Sequence, residues 1–124
     1  MQEDGQMEHF VRVMKALSDP NRVMILKMLL EHKMMCVCEM QAALQLAQPT
    51  VSKHLKILLD AGLISCKRDG LWMNYSPCDG DDSPYVSIML RNLIHWLQDD
   101  PRVGKIMEKL PSIKRENICN KFYA

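Results

Sequence analysis

No stretch of the chain reaches the roughly 18 consecutive apolar residues of a membrane span, so no membrane partner is expected. Net charge is scarce too: 16 Lys and Arg against 15 Asp and Glu leave +1 at pH 7. Bulk charge therefore gives no hold on nucleic acid, and any such binding must come from a local patch. There is no Cys-x-x-Cys, no phosphate-binding loop and no βαβ pattern to carry one. These absences argue against a thiol-redox or arsenate-reducing enzyme. Internal repeats and low-complexity segments are missing as well. The opening MQEDGQMEH has acids where a secretory leader carries bases, which predicts a cytoplasmic protein. The five cysteines, an odd number, are then expected as thiols rather than as a disulfide framework.

What the chain does have is apolar content, 48% over 124 residues, enough for one domain with a core of its own. Its eleven methionines are expected mostly as adaptable core filler. We expect a folded domain over 1–110 and a tail over 111–124. Met7, Phe10, Val11, Met14 and Leu17 recur at helical spacing and predict a first amphipathic helix. Asp19 and Pro20 then read as the cap and opening of a second helix over Asn21 to Leu30, apolar on nearly all sides and hence buried. Further on, Val86, Met89, Leu90, Leu93, Trp96 and Leu97 predict a long helix from Tyr85 to Gln98. Pro101 opens another, which Pro111 stops.

The middle of the chain organises the rest. A helix from about Val37 carries Met40, Ala43 and Leu44, and Gln45-Leu46-Ala47 is a turn. Gln48-Pro49 starts the next helix, with Pro49 read as its first residue and Gly62 as its end. Val51, Leu55, Leu58 and Leu59 make its apolar stripe. Thr50, Ser52, Lys53, His54 and Lys56 occupy the other face, near the helix start, and Gln48 joins them. A donor-rich face after a tight turn is what a recognition helix presents to a major groove. After Gly62 the period drops to two. Leu63 to Arg68 and Leu71 to Ser76 flank Asp69-Gly70, a two-residue hairpin signal. Such a hairpin is a wing, with Lys67 and Arg68 near its tip for phosphate or minor groove. The fold class is thus mainly α with one small β-hairpin, a winged helix-turn-helix. Amphipathic helices at both ends of so small a core suggest a second surface, most simply that of a homodimer. Paired recognition helices roughly 34 Å apart would read an inverted repeat in double-stranded operator DNA.

ALSDPNRVMIL, CVCEM, QPTVSKHLKILLDAGLI and KRDGLWMNY together resemble the ArsR/SmtB family of winged-helix, metal-responsive repressors, over about residues 7 to 98. CVCEM is similar to the cysteine motif of the arsenic-responsive subgroup. The resemblance implies a homodimer joined by the first and the long C-terminal helices. It also implies a repressor that leaves its operator when metalloid binds. Members of the subgroup often have a third cysteine three residues after the second, where this chain has Gln41. Family members that sense zinc use paired carboxylates and histidines on the C-terminal helix. Here His95 and Asp99 are the only hint of that pattern, and no second site is expected.

The thiols carry a chemical reading of their own. Trivalent arsenic or antimony is soft and prefers thiolate to oxygen ligands. Cys36 and Cys38 fall at a helix start, where the dipole favours the thiolate. Two residues apart inside a regular helix, they would lie about 200° apart and could not share one ion. Chelation therefore needs Cys36 outside the helix, or a helix start that unwinds. Either would strain the first helix of the motif and tilt the recognition helix. Cys119 is a candidate third ligand; Cys66 and Cys78 are weaker ones, and His32 reads as a surface residue. Two other readings stay open: thiols that sense oxidants by reversible oxidation, and a zinc, cadmium or lead sensor. Taken alone, Cys-x-Cys equally suits two structural core thiols.

Overall fold

The computed structural model describes residues 5–79 and 83–114. Six helices run α1 (Gly5–Ala16), α2 (Pro20–His32), α3 (Val37–Leu44), α4 (Gln48–Asp60), α5 (Pro84–Leu93) and α6 (Pro101–Lys109). Between α4 and α5 lie strands β1 (Ile64–Asp69) and β2 (Trp72–Pro77), paired antiparallel. A 3-10 turn, Leu110–Ser112, follows α6, and Ile113 beyond it is buried in the core. Helix, turn, helix and hairpin in this order form a winged helix-turn-helix. No helix among the described residues is long and apolar enough to cross a membrane.

The central helix is α2, as its apolar run predicts. Met24 to Leu29 are all buried and meet Met40 of α3, Leu55 of α4 and Leu90 of α5 in one core. Its start is capped by Asp19, whose carboxylate accepts the N–H of Asn21 at 2.8 Å and of Arg22 at 3.2 Å. Burial pushes the Asp19 carboxyl up, but those two N–H donors, with the charges of His54 and Arg22, outweigh it and hold the group below the usual carboxylate range. An Asp19→Ala change is expected to cost about 1 kcal/mol of stability near neutral pH. The folded value lies below the unfolded one, so this stabilisation is full above pH 3.8 and fades as pH falls through the folded value. Urea titrations of both proteins at neutral and acidic pH check it; a gap that persisted unchanged in acid would remove the carboxylate from the explanation.

Four expectations change on contact with the structure. Helix α1 forms, but it turns Val13 and Ala16 into the core, while Met7, Phe10 and Val11 stay exposed, Met7 by 75%. The apolar stripe read from the spacing thus faces outward at its N-terminal end.

In α4, Pro49 is the second helical residue, behind Gln48, and the helix ends at Asp60 with Ala61 as its cap; Gly62, at φ 79°, follows as the link to β1. The hairpin loop is Gly70-Leu71, one residue later than expected, because Asp69 pairs with Trp72. Gly70 alone takes positive φ, 66°, which suits a turn with glycine first and an ordinary L-residue second; Asp69-Gly70 would have needed positive φ at both.

The fourth change is the largest. Helix α5 stops at Leu93 instead of Gln98. The Lys27 side chain rises from the middle of α2, only 4% exposed, and its ammonium donates to the carbonyls of Leu93 and Trp96, each at 2.8 Å, to Gln98 Oε1 at 2.6 Å and more weakly to the Ile94 carbonyl at 3.5 Å. A continuing helix would commit the Leu93 carbonyl to the N–H of Leu97. The buried cation takes it instead, and Leu97 falls into the left-handed region at φ 66°. His95 and Asp99 consequently sit exposed on a turn, without the i, i+4 relation of a helix.

Candidate nucleic-acid interface and thiol site

Helix α4 is positioned by its stripe. Val51, Leu55 and Leu58 are buried, Leu59 partly so, and the opposite face is therefore held outward. Gln48, Thr50, Lys53 and Lys56 are exposed; Ser52 and His54 are half-buried. Gln48 Nε2 lies 3.5 Å from Ser52 Oγ, one turn further along the helix. Lys56, one turn further, lies 3.6 Å from Asp60 in an exposed i, i+4 pair. On the wing, Lys67 and Arg68 are exposed and pair across to Asn74 and Met73, so they stand further from the tip than expected.

The sequence reading missed one cation. Arg22 reaches over from the first turn of α2. Its Nε donates to the Ala16 carbonyl at 2.7 Å, its Nη2 to the Lys15 carbonyl at 3.1 Å, and its Nη1 lies 3.3 Å from His54 Nδ1. Together with Pro49, Thr50, Lys53, His54 and Ile57 it lines an open cleft of about 480 Å³ at the start of α4. None of these lining residues is acidic. Arg22 stands in the conspicuous DPNR run, but nothing local in the sequence announces a partner 32 positions away.

The second site lies at the other end of the motif. Cys36 is the N-cap of α3, in extended backbone (φ −98°, ψ 171°), and Cys38 is in the first turn. Cys36 thus sits outside the helix, which is one of the two arrangements that chelation requires. Glu39 closes a capping box, its carboxylate accepting the Cys36 N–H at 2.8 Å. Both cysteines are 3% exposed and form a small cluster of their own, with Trp72 of β2 packed on it. Trp72 was not foreseen as a wall of this site; the hairpin folding back is what supplies it. The residue before the pair, Met35, bridges to β2, donating its N–H to the Tyr75 carbonyl at 3.0 Å and accepting the Tyr75 N–H at 2.8 Å. The thiol segment is therefore bound to the wing sheet on one side and to α3 on the other.

Among the described residues, Cys66 and Cys78 do not join the pair in a metal-binding group. Cys36, Cys38, Cys66 and Cys78 are all thiols; Cys66 is exposed on β1 and Cys78 is half-buried just after β2. Cys119 lies outside the described residues. His32 is exposed at the end of α2, and Gln41 is half-buried on α3. No group of three or more His, Cys, Asp and Glu side chains that could hold a metal ion occurs among the described residues. Among the described residues the site offers two soft sulfur donors in a nearly dry pocket, a donor set suited to a thiophilic ion.

Comparison with known proteins agrees with this anatomy. Residues 19–65 match the model of the bacterial regulatory protein, arsR family. The arsenical resistance operon repressor of Escherichia coli is 29% identical over 116 residues, covering 89% of this chain and 95% of that one. An arsenic resistance transcriptional regulator of Pseudomonas putida is 33% identical over 92 residues, 71% of each chain. Among solved structures, the homodimeric winged helix-turn-helix DNA-binding domain of a Mycobacterium bovis protein superposes with a TM-score of 0.62 at 24% identity, covering 81% of this chain and 92% of that one.

Proposed function

This chain belongs to the arsR family of bacterial DNA-binding regulators and is a transcriptional repressor, and from that premise we propose that its inducer is a trivalent arsenic or antimony species bound by Cys36 and Cys38. The observation that carries the proposal is the placement of Cys36 as an extended N-cap beside Cys38 in the first turn, both sealed under Trp72. Bringing two sulfurs onto one soft ion draws Cys36 and the first turn of α3 together. Met35, hydrogen-bonded to Tyr75, and Trp72 carry that shift to the wing, and α3 carries it to α4. The bound form then favours a conformation poor at holding DNA, and by linkage operator DNA weakens inducer binding by the same factor.

On the DNA side, Gln48, Thr50, Ser52, Lys53 and His54 at the start of α4 are the residues we assign to the major groove and its phosphates, with Lys56 behind them and Lys67 and Arg68 on the wing. The acting species is proposed to be a homodimer. Exposed Met7, Phe10 and Val11 on α1 and Ile88 on α5 supply an apolar face, and Phe10 stacks edge-on against Tyr85, the second residue of α5, at 5.2 Å, which sets the two helices side by side.

The test is fluorescence anisotropy with a labelled duplex from upstream of this protein's own gene. Arsenite, under reducing conditions, is expected to release the protein at near-stoichiometric concentration, whereas zinc is not. Retention in arsenite together with release by peroxide would replace this proposal with thiol oxidation, and release by zinc would replace it with a divalent-metal sensor.

A further inference from the structure

We infer that Arg22 is a positioning residue for DNA reading, which acts by holding the imidazole of His54 so that its Nε2–H is offered to the DNA. A guanidinium can only donate hydrogen bonds. With Arg22 Nη1 3.3 Å from His54 Nδ1, that nitrogen must be the acceptor, and the ring proton of neutral His54 must sit on Nε2. Arg22 is itself held by two further bonds, to the carbonyls of Ala16 and Lys15. Both carbonyls lie at the C-terminal end of α1, and that of Lys15 also accepts the Ser18 N–H at 3.1 Å, so one planar fork ties three parts together: the end of α1, the start of α2 and the DNA face of α4. The cleft beside the ring is lined by the donors of Thr50 and Lys53. A half-buried ring with one nitrogen satisfied from behind has one orientation to present. A free ring would have two faces and two tautomers.

The inference rests on α4 being the DNA-facing helix, and the experiment separates the two. Operator affinity and its salt slope are measured for Arg22→Lys, His54→Ala, the double variant and Lys53→Ala, each checked for folding by thermal melting. Lysine keeps the charge and can reach one α1 carbonyl, but it cannot span three acceptors. Arg22→Lys and His54→Ala are each expected to weaken operator binding about tenfold, and the double variant to be no weaker than the worse single. The salt slope of Arg22→Lys should match wild type, since Arg22 touches no phosphate in this scheme.

Multiplicative losses in the double variant, or no loss in Arg22→Lys, overturn the inference. If Arg22→Lys does not fold, two substitutions at His54 decide instead. His54→Gln can place an N–H at the outward Nε2 position and is expected to bind better than His54→Asn, whose shorter amide can put its oxygen opposite Arg22 but no N–H at that position; the reverse order overturns the inference. Should Lys53→Ala and His54→Ala both bind like wild type, the DNA-facing assignment of α4 itself fails. Should Lys53→Ala weaken binding while the Arg22 and His54 variants do not, only the inference fails.

Discussion

Replacing Cys36 and Cys38 together by serine is expected to abolish release by arsenite while leaving operator affinity within about threefold of wild type, a change of well under 1 kcal/mol. Serine keeps the size of cysteine and removes the soft donor. The two positions are not equivalent for folding. Cys36 is the N-cap of α3, and Glu39 stands at the third position of the helix with its carboxylate on the Cys36 N–H. Serine at that cap turns the existing box into Ser-x-x-Glu, with an oxygen in place of sulfur opposite the N–H of Glu39, among the best helix starts there are. Cys36→Ser alone should therefore raise stability by about 0.5 kcal/mol, because sulfur accepts an N–H poorly and oxygen accepts it well.

Cys38 is not at the cap. It is buried against Trp72, and a hydroxyl there should cost about 1 kcal/mol. The double variant thus comes out near wild type in stability and blind to inducer. Chemical unfolding and the anisotropy titration together check both halves. A double variant that arsenite still releases would remove these thiols from the mechanism, and a Cys36→Ser protein less stable than wild type would contradict the cap. A cysteine standing where serine would stabilise more is what a ligand site looks like from the side of folding.

Both the helix-turn-helix and the thiol pair could be read from the chain because their signals are local. The spacing of Val51, Leu55 and Leu58 sets which face of α4 is buried, and the helix start near Val37 follows from its own few residues. Asp19 before Pro20 is likewise a short-range signal, and the cap forms as read. What could not be read depends on residues far apart in sequence. Trp72 closes the thiol pocket only because the hairpin returns over α3. Arg22 meets His54 only because α2 and α4 cross. The wing turn slipped by one residue because Asp-Gly and Gly-Leu are both acceptable two-residue loops, and pairing along the strands decides between them. On α1, Met7, Phe10 and Val11 gave the correct helical period, but periodicity does not say whether an apolar face meets the core or another molecule.

The end of α5 is the sharpest of these cases, and it leads to the second large effect. Lys27→Met is expected to lower stability by roughly 2 to 4 kcal/mol, as removal of one partner from a buried charged hydrogen-bond group does. Methionine fills the space of the lysine stem but leaves the carbonyls of Leu93 and Trp96 and the Gln98 amide oxygen without the donor they share. The segment has a partial remedy, since without the ammonium the Leu93 carbonyl is open to the N–H of Leu97. Helix α5 can then extend toward Gln98, as the apolar spacing through Trp96 and Leu97 favours. Slowed hydrogen exchange at the Leu97 and Gln98 amides would report that extension, and a loss at the low end of the range should accompany it.

The charge itself supplies an independent check. Desolvation pushes the Lys27 ammonium below the ordinary lysine value, and the nearby Glu31 carboxylate restores part of it. Between the folded value and 10.5 the unfolded chain binds more protons, so wild-type stability should rise relative to Lys27→Met as pH climbs through that window. Denaturant midpoints of the two proteins from pH 7 upward give the difference directly. A difference that shrinks with rising pH would mean that the surrounding oxygens favour the proton more strongly than burial opposes it. A Lys27→Met protein as stable as wild type at neutral pH would mean that the cation ends the helix without stabilising the fold.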